Sequence, residues 1–137
     1  MDTSDEYISM CEKAKKYMWP DGYFMLYNYG LYYESTTKRV VTTLEVSNPM
    51  YYKGSISNQT VWMDEYVPLW SQDQLQEMVE GYIEFFRSDL GEWQAQNDNN
   101  DGMFSTAYWK SAEQALLCLV MNHKFNKAWN GTDWQSI

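Results

Sequence analysis

The chain has 137 residues, 45% of them hydrophobic and 18% aromatic, with 19 acids against 10 bases and a net charge of −9. This composition supports a packed single domain, residues 1–137, rather than a disordered chain. The acidic balance argues against direct binding to nucleic acid or to an anionic membrane, because each phosphate would be repelled.

Ser4 can cap a first helix, with Asp5 and Glu6 in its first turn and Lys13, Lys15 and Lys16 near its end, signs that suit the helix dipole. Tyr7, Cys11, Ala14 and Met18 recur at helical spacing until Pro20-Asp21-Gly22 makes a turn. The period then changes to two. Residues 23–29 alternate Tyr23, Met25, Tyr27 and Tyr29 against Phe24, Leu26 and Asn28, and residues 31–34 extend or pair with that run. Residues 39–46 alternate again and residues 60–63 make a short further strand, with a loop from Ser47-Asn48-Pro49 to about Asn58 between them. An antiparallel meander of three or four strands is expected here.

Ser71 and Gln74 form a capping box at the start of a second helix, with Trp70 and Leu75 as its hydrophobic staple. Leu75, Met78, Val79, Tyr82, Ile83 and Phe86 read as one apolar stripe, and Gly91 is placed to end the helix. Residues 94–102 hold three Asn and two Asp and read as a polar loop. Ser111 and Gln114 repeat the capping box for a third helix. Residues 115–121 are apolar all round, and Asn130-Gly131 stops the helix. Trp129 and Trp134 are candidates to clamp the C-terminal segment. The order helix, strands, helix, helix predicts an α+β fold: an N-terminal helix, a small antiparallel sheet of three to four strands, and two C-terminal helices packed on it.

Two blocks resemble a known group. One is Tyr66-Val67-Pro68-Leu69-Trp70-Ser71-Gln72-Asp73-Gln74-Leu75-Gln76-Glu77-Met78. The other is Ser111-Ala112-Glu113-Gln114-Ala115-Leu116, continuing through Val120-Met121 and Lys124-Phe125-Asn126-Lys127-Ala128-Trp129-Asn130-Gly131 to Trp134. Together they resemble small uncharacterised proteins encoded in phages and prophages of Gram-positive bacteria, whose pattern reads "LPxQDQLQ" and then "SxEQLWLxFVM…KxWDGxxW". Trp70-Ser71 and Ala115-Leu116 depart from that pattern. The shared positions are mostly caps, staples and core residues. The resemblance therefore implies a mobile-element origin and a fold, and transfers no active site. Small accessory phage proteins often act on host machinery, as anti-CRISPR proteins do, which is an analogy of fold and origin.

Catalytic chemistry has little to stand on. The one histidine, His123, reads as a half-buried structural residue on the third helix. A serine triad, a zinc site or a di-iron site would need more His or Cys partners than the chain offers. No phosphate-binding or dinucleotide fingerprint occurs. Asp98 and Asp101 lack the spacing of a calcium loop. No enzyme activity, cofactor or metal is expected. Cys11 and Cys118 read as buried thiols. The polar, acidic start has no secretory pattern, and the longest apolar run is far too short to span a bilayer, so a soluble cytoplasmic protein of the bacterial host cell is expected.

The charge is not evenly spread. Residues 64–113 hold eleven acids and only Arg87 and Lys110 as bases, while the remaining acids and bases cancel. On a continuous second helix, Asp73, Glu77, Glu80 and Glu84 fall on one face, with neighbours about 5–6 Å apart, close to phosphate spacing. Such a row can enter a basic channel built for nucleic acid. A solvated helix face accounts for the same residues, but it would usually interleave Lys. The expected function is a non-enzymatic phage accessory protein. It binds a protein with a basic surface, in the sharpest form a nucleic-acid-binding defence effector that it inhibits as an acidic mimic. Glu65 extends that surface, and Trp62, Tyr66 and Trp70 are the candidate apolar anchors. Two alternatives are a small-molecule or peptide site on a platform of Tyr23, Tyr27, Tyr29, Tyr32 and Tyr33, and a virion structural or assembly protein.

Overall fold

A computed structural model of the chain describes residues 1–20, 23–25, 30–43, 50–51, 59–62, 65–99 and 102–137. The chain divides into two compact units, Thr3–Trp70 and Ser71–Ile137 with Met1–Asp2.

In the first unit Ser4 caps helix α1 (Asp5–Met18), its hydroxyl oxygen accepting the Tyr7 amide at 3.2 Å. The helix buries Tyr7, Met10, Cys11 and Ala14 completely. The strands are β1 (Tyr23–Met25), β2 (Leu31–Glu34), β3 (Arg39–Thr42), β4 (Met50–Tyr51), β5 (Gln59–Trp62) and β6 (Tyr66–Leu69). They form two antiparallel sheets, ordered β1-β5-β4 and β3-β2-β6, in place of one meander. β2 and β3 form a hairpin from Leu31↔Thr42 to Glu34↔Arg39. Lys38, at φ 57°, supplies the left-handed step that closes its turn. β6 is an edge strand, which accommodates Pro68. It packs against α1, and the Tyr7 hydroxyl donates to the Trp70 carbonyl at 2.5 Å. Glu34 is buried and accepts from the hydroxyls of Thr37 and of Tyr66, the latter at 3.0 Å. The Thr37 bond, then the Tyr66 bond, with Arg39 adding a smaller attraction, hold its carboxyl below the ordinary Glu range despite burial. Of the expected strands at residues 23–29 and 39–46, residues 26–29 and 44–46 lie outside the described residues, as does most of the expected loop to about Asn58, of which Met50–Tyr51 is strand β4 rather than loop.

In the second unit the capping box forms in both directions. Ser71 Oγ accepts the Gln74 amide at 3.3 Å, and Gln74 Oε1 accepts the Ser71 amide at 2.9 Å. The helix it starts, α2, is only Gln72–Glu77. The chain then turns through Gly81 at φ 96° into β7 (Tyr82–Arg87). This corrects the expected long second helix. Tyr82-Ile83-Glu84-Phe85-Phe86 keeps a helical spacing of apolar residues, but its aromatic and branched side chains favour the sheet. Glycine at positive φ makes the reversal cheap.

The polar segment expected to be a loop is instead largely sheet: β8 (Trp93–Asn99) pairs antiparallel with β7 and with β9 (Gly102–Ser105). Asn and Gln are weak strand formers, and pairing on both sides overrides that preference. The secondary-structure mixture is α+β, but the predicted layout is wrong. Among the described residues, three small three-stranded sheets and a terminal hairpin stand where one sheet carrying two long helices was expected.

Helix α3 (Ala112–Phe125) packs against β8 and is buried at every position from Ala112 to Met121, as its apolar run requires. Its cap is half of the expected box. Ser111 Oγ accepts the Gln114 amide at 3.1 Å, but the Gln114 side chain donates to Asp2 Oδ2 at 2.9 Å. Glu113 accepts the Asp2 amide at 2.9 Å. The helix ends at Asn126, left-handed at φ 55°, before the expected Asn130-Gly131 stop. β10 (Lys127–Trp129) and β11 (Trp134–Ser136) then form a hairpin. Asn130 Oδ1 accepts the amides of Thr132 and Asp133 at 2.9 and 2.8 Å, and the Trp129 and Trp134 rings meet at 5.1 Å. Cys11 and Cys118 are both buried, as expected, whereas His123 is exposed rather than half-buried.

Candidate protein-binding surface

The β7–β8–β9 sheet has two unlike faces because successive side chains alternate. Ile83, Phe85 and Arg87 share one face with Trp93, Ala95 and Asn97. There Phe85 meets Trp93 edge-on at 6.2 Å and Arg87 lies over the Trp93 ring at 5.1 Å. Asn97 is 2% exposed, and its side-chain amide donates to the carbonyls of Glu80 and Tyr82 at 3.0 and 3.2 Å.

The other face is open. Tyr82, Asp98 and Met103 form one cross-strand row, Glu84, Gln96 and Ser105 the next, and Phe86 with Gln94 the third. Tyr82 is 67% exposed, Met103 66% and Phe86 41%, beside the exposed acids Glu84 and Asp98. Gln96 accepts the Ser105 hydroxyl at 3.3 Å, which keeps the middle row polar. Three large apolar side chains left in water on one small sheet face, interleaved with carboxylates, form a patch suited to a partner that is both apolar and basic. The charge of the whole unit agrees: residues 1–2 and 71–137 hold eleven acids and four bases, a net −7.

The expected acidic row is not assembled. Asp73 and Glu77 lie exposed on α2, one helical turn apart, Glu80 lies in the bend before Gly81, and Glu84 lies on β7. A continuous ladder of four carboxylates at phosphate spacing needs an unbroken helix, and the helix stops at Glu77. Glu84 alone of the four reaches the open sheet face. Glu65 is exposed in the first unit. Tyr66 is 2% exposed and Trp70 is fully buried, so neither is an anchor for a partner. Trp62 is on β5, its side chain outside the described set.

Tyr32 is fully buried, and Tyr33, its neighbour along β2, points to the opposite face. Those two therefore do not share a platform, and Tyr27 and Tyr29 lie outside the described residues. Among the described residues no three His, Cys, Asp or Glu side chains gather as a metal cage. Among the described residues no helix is long and apolar enough to cross a membrane.

Sequence reasoning missed Tyr82, Phe86, Asp98 and Met103 as surface residues. The signal present was Gly81 followed by a short run of aromatic and branched side chains, Tyr82, Ile83, Phe85 and Phe86. No family model matches the chain, and neither a curated protein nor a solved structure is similar to it.

Proposed function

We propose that this chain is a binding protein whose partner is another protein with a basic, partly apolar surface, held on the outer face of the β7–β8–β9 sheet. The observation that carries the reading is the exposure of Tyr82, Phe86 and Met103 beside Glu84 and Asp98 on one face of an acidic unit. Aromatic and Met side chains supply contact area at little entropic cost, and the carboxylates steer and orient a cationic partner. A nucleic-acid-binding effector of host defence has a surface of this kind. Inhibition of such an effector by a phage-derived protein is the sharpest form of the proposal. It rests on net charge and an apolar patch and needs no helical row of carboxylates.

The test is capture from lysate of a Gram-positive bacterium at low and high salt, comparing the native chain with a Glu84→Lys, Asp98→Lys variant. A basic protein captured by the native chain, released by salt or by added duplex DNA, and missed by the variant supports the reading. Equal capture by both chains removes the sheet face from the site.

A further inference from the structure

We infer that the open edge of β9 takes up an extended segment of the partner as a fourth strand, in which basic side chains flank an apolar one. The inference rests on the protein-binding reading above and names how the partner is gripped.

Among the described residues β9 is the last strand of its sheet, and all four of its residues are exposed. Thr106 continues the ladder: its amide donates to the Ala95 carbonyl at 2.9 Å, and its hydroxyl accepts the Ala95 amide at 3.0 Å. That bonded pair sets the phase of the antiparallel ladder. Two and four residues back, Phe104 and Gly102 turn their backbone groups toward β8. Met103 and Ser105 therefore turn theirs to the open edge.

Sheet edges in folded proteins are usually blunted by a charge, a Pro or a bulge. Gly102-Met103-Phe104-Ser105 carries no charge and no Pro, and its register from Asn99↔Gly102 to Gln96↔Ser105 is unbroken. β7, the opposite edge, carries Glu84 and Arg87. Met103 and Phe104 lie on opposite faces at 66% and 37% exposure, so an added strand finds apolar surface on both sides.

Charge selects the occupant. A second copy would bring two units of net −7 edge to edge, whereas a cationic segment is attracted. An added strand lies about 4.8 Å beyond β9 and so about 10 Å from β8, a gap that a Lys or Arg on the outer face spans to reach Asp98. Its residues opposite Met103 and Ser105 share that outer face and are basic. Its residue opposite Phe104 shares the Phe104 face and is apolar and branched. The recognised pattern is basic–apolar–basic in extended form.

The probe is a fluorescent peptide, Thr-Lys-Val-Lys-Val-Lys-Thr, titrated with the full chain at low salt and read by anisotropy. In this register the Lys amides face β9 and the Val amides face away. N-methylation of the Lys residues is expected to weaken binding more than tenfold, and N-methylation of the Val residues to leave it within about twofold. Equal binding of the parent and the Lys-methylated peptide would show attraction by charge alone and overturn the inference, as would no binding of the parent. Met103→Pro removes an outward N–H without breaking the β8 ladder and is expected to abolish the effect. If that variant fails to fold, the methylated peptides decide alone. A captured partner lost by Glu84→Lys, Asp98→Lys but kept by a folded Met103→Pro would keep the proposed function and sink the added strand.

Discussion

The buried side-chain amide of Asn97 donates to the backbone carbonyl of Glu80 at 3.0 Å, tying the middle strand of one sheet to the bend in which α2 gives way to β7. A second bond from the same nitrogen reaches the Tyr82 carbonyl at 3.2 Å. Asn97→Leu would leave both carbonyls without this donor and is expected to cost about 1–3 kcal/mol. Urea unfolding of the variant checks this; an unchanged midpoint would mean that water replaces the amide.

Gly81 sits at φ 96°, where a side chain is strained. Gly81→Ala is expected to lower stability by about 1–2 kcal/mol, although alanine is the better helix former. The sign is the informative part. A rise in thermal midpoint would mean that the long-helix alternative, with its row of acids, is accessible.

Glu34 has its carboxyl held below the ordinary range, first by Thr37 and then by Tyr66. A folded value below the unfolded one means that the ionised group stabilises the fold above the unfolded value of about 4.3, and that this is lost as pH falls through the folded value. Stability of the native chain should fall with acidification below about pH 5, and Glu34→Gln should flatten that part of the curve. Denaturant midpoints from pH 7 to pH 2 for both chains read this directly.

The open sheet face separates binding from stability. Tyr82→Ser and Met103→Ser remove exposed side chains and should change stability by no more than about 0.5 kcal/mol each. Both should weaken capture of a partner, and Glu84→Lys with Asp98→Lys should raise its Kd more than about tenfold at low salt. Full retention of affinity by all of these variants would move the search for the site to another surface.

What can be read along the chain is what is decided within a few residues. The caps at Ser4, Ser71 and Ser111 are present, because a hydroxyl and an amide three positions on need nothing else to meet. The apolar run starting at Ala115 is buried, since no amphipathic alternative was open to it. The concentration of acids in residues 64–113 is a property of the sequence alone. Tertiary structure decided the rest. Residues 82–87 space their apolar side chains as a helix would while being rich in strand-forming types, and only pairing with residues 93–98 selects the strand. The same pairing makes a strand of Asn and Gln residues whose local preference is for loops, and it separates Glu84 from Asp73. Burial of Tyr66 and Trp70 likewise depends on distant neighbours. A local preference is worth a few tenths of a kcal/mol per residue, and a completed ladder with a buried face outweighs it.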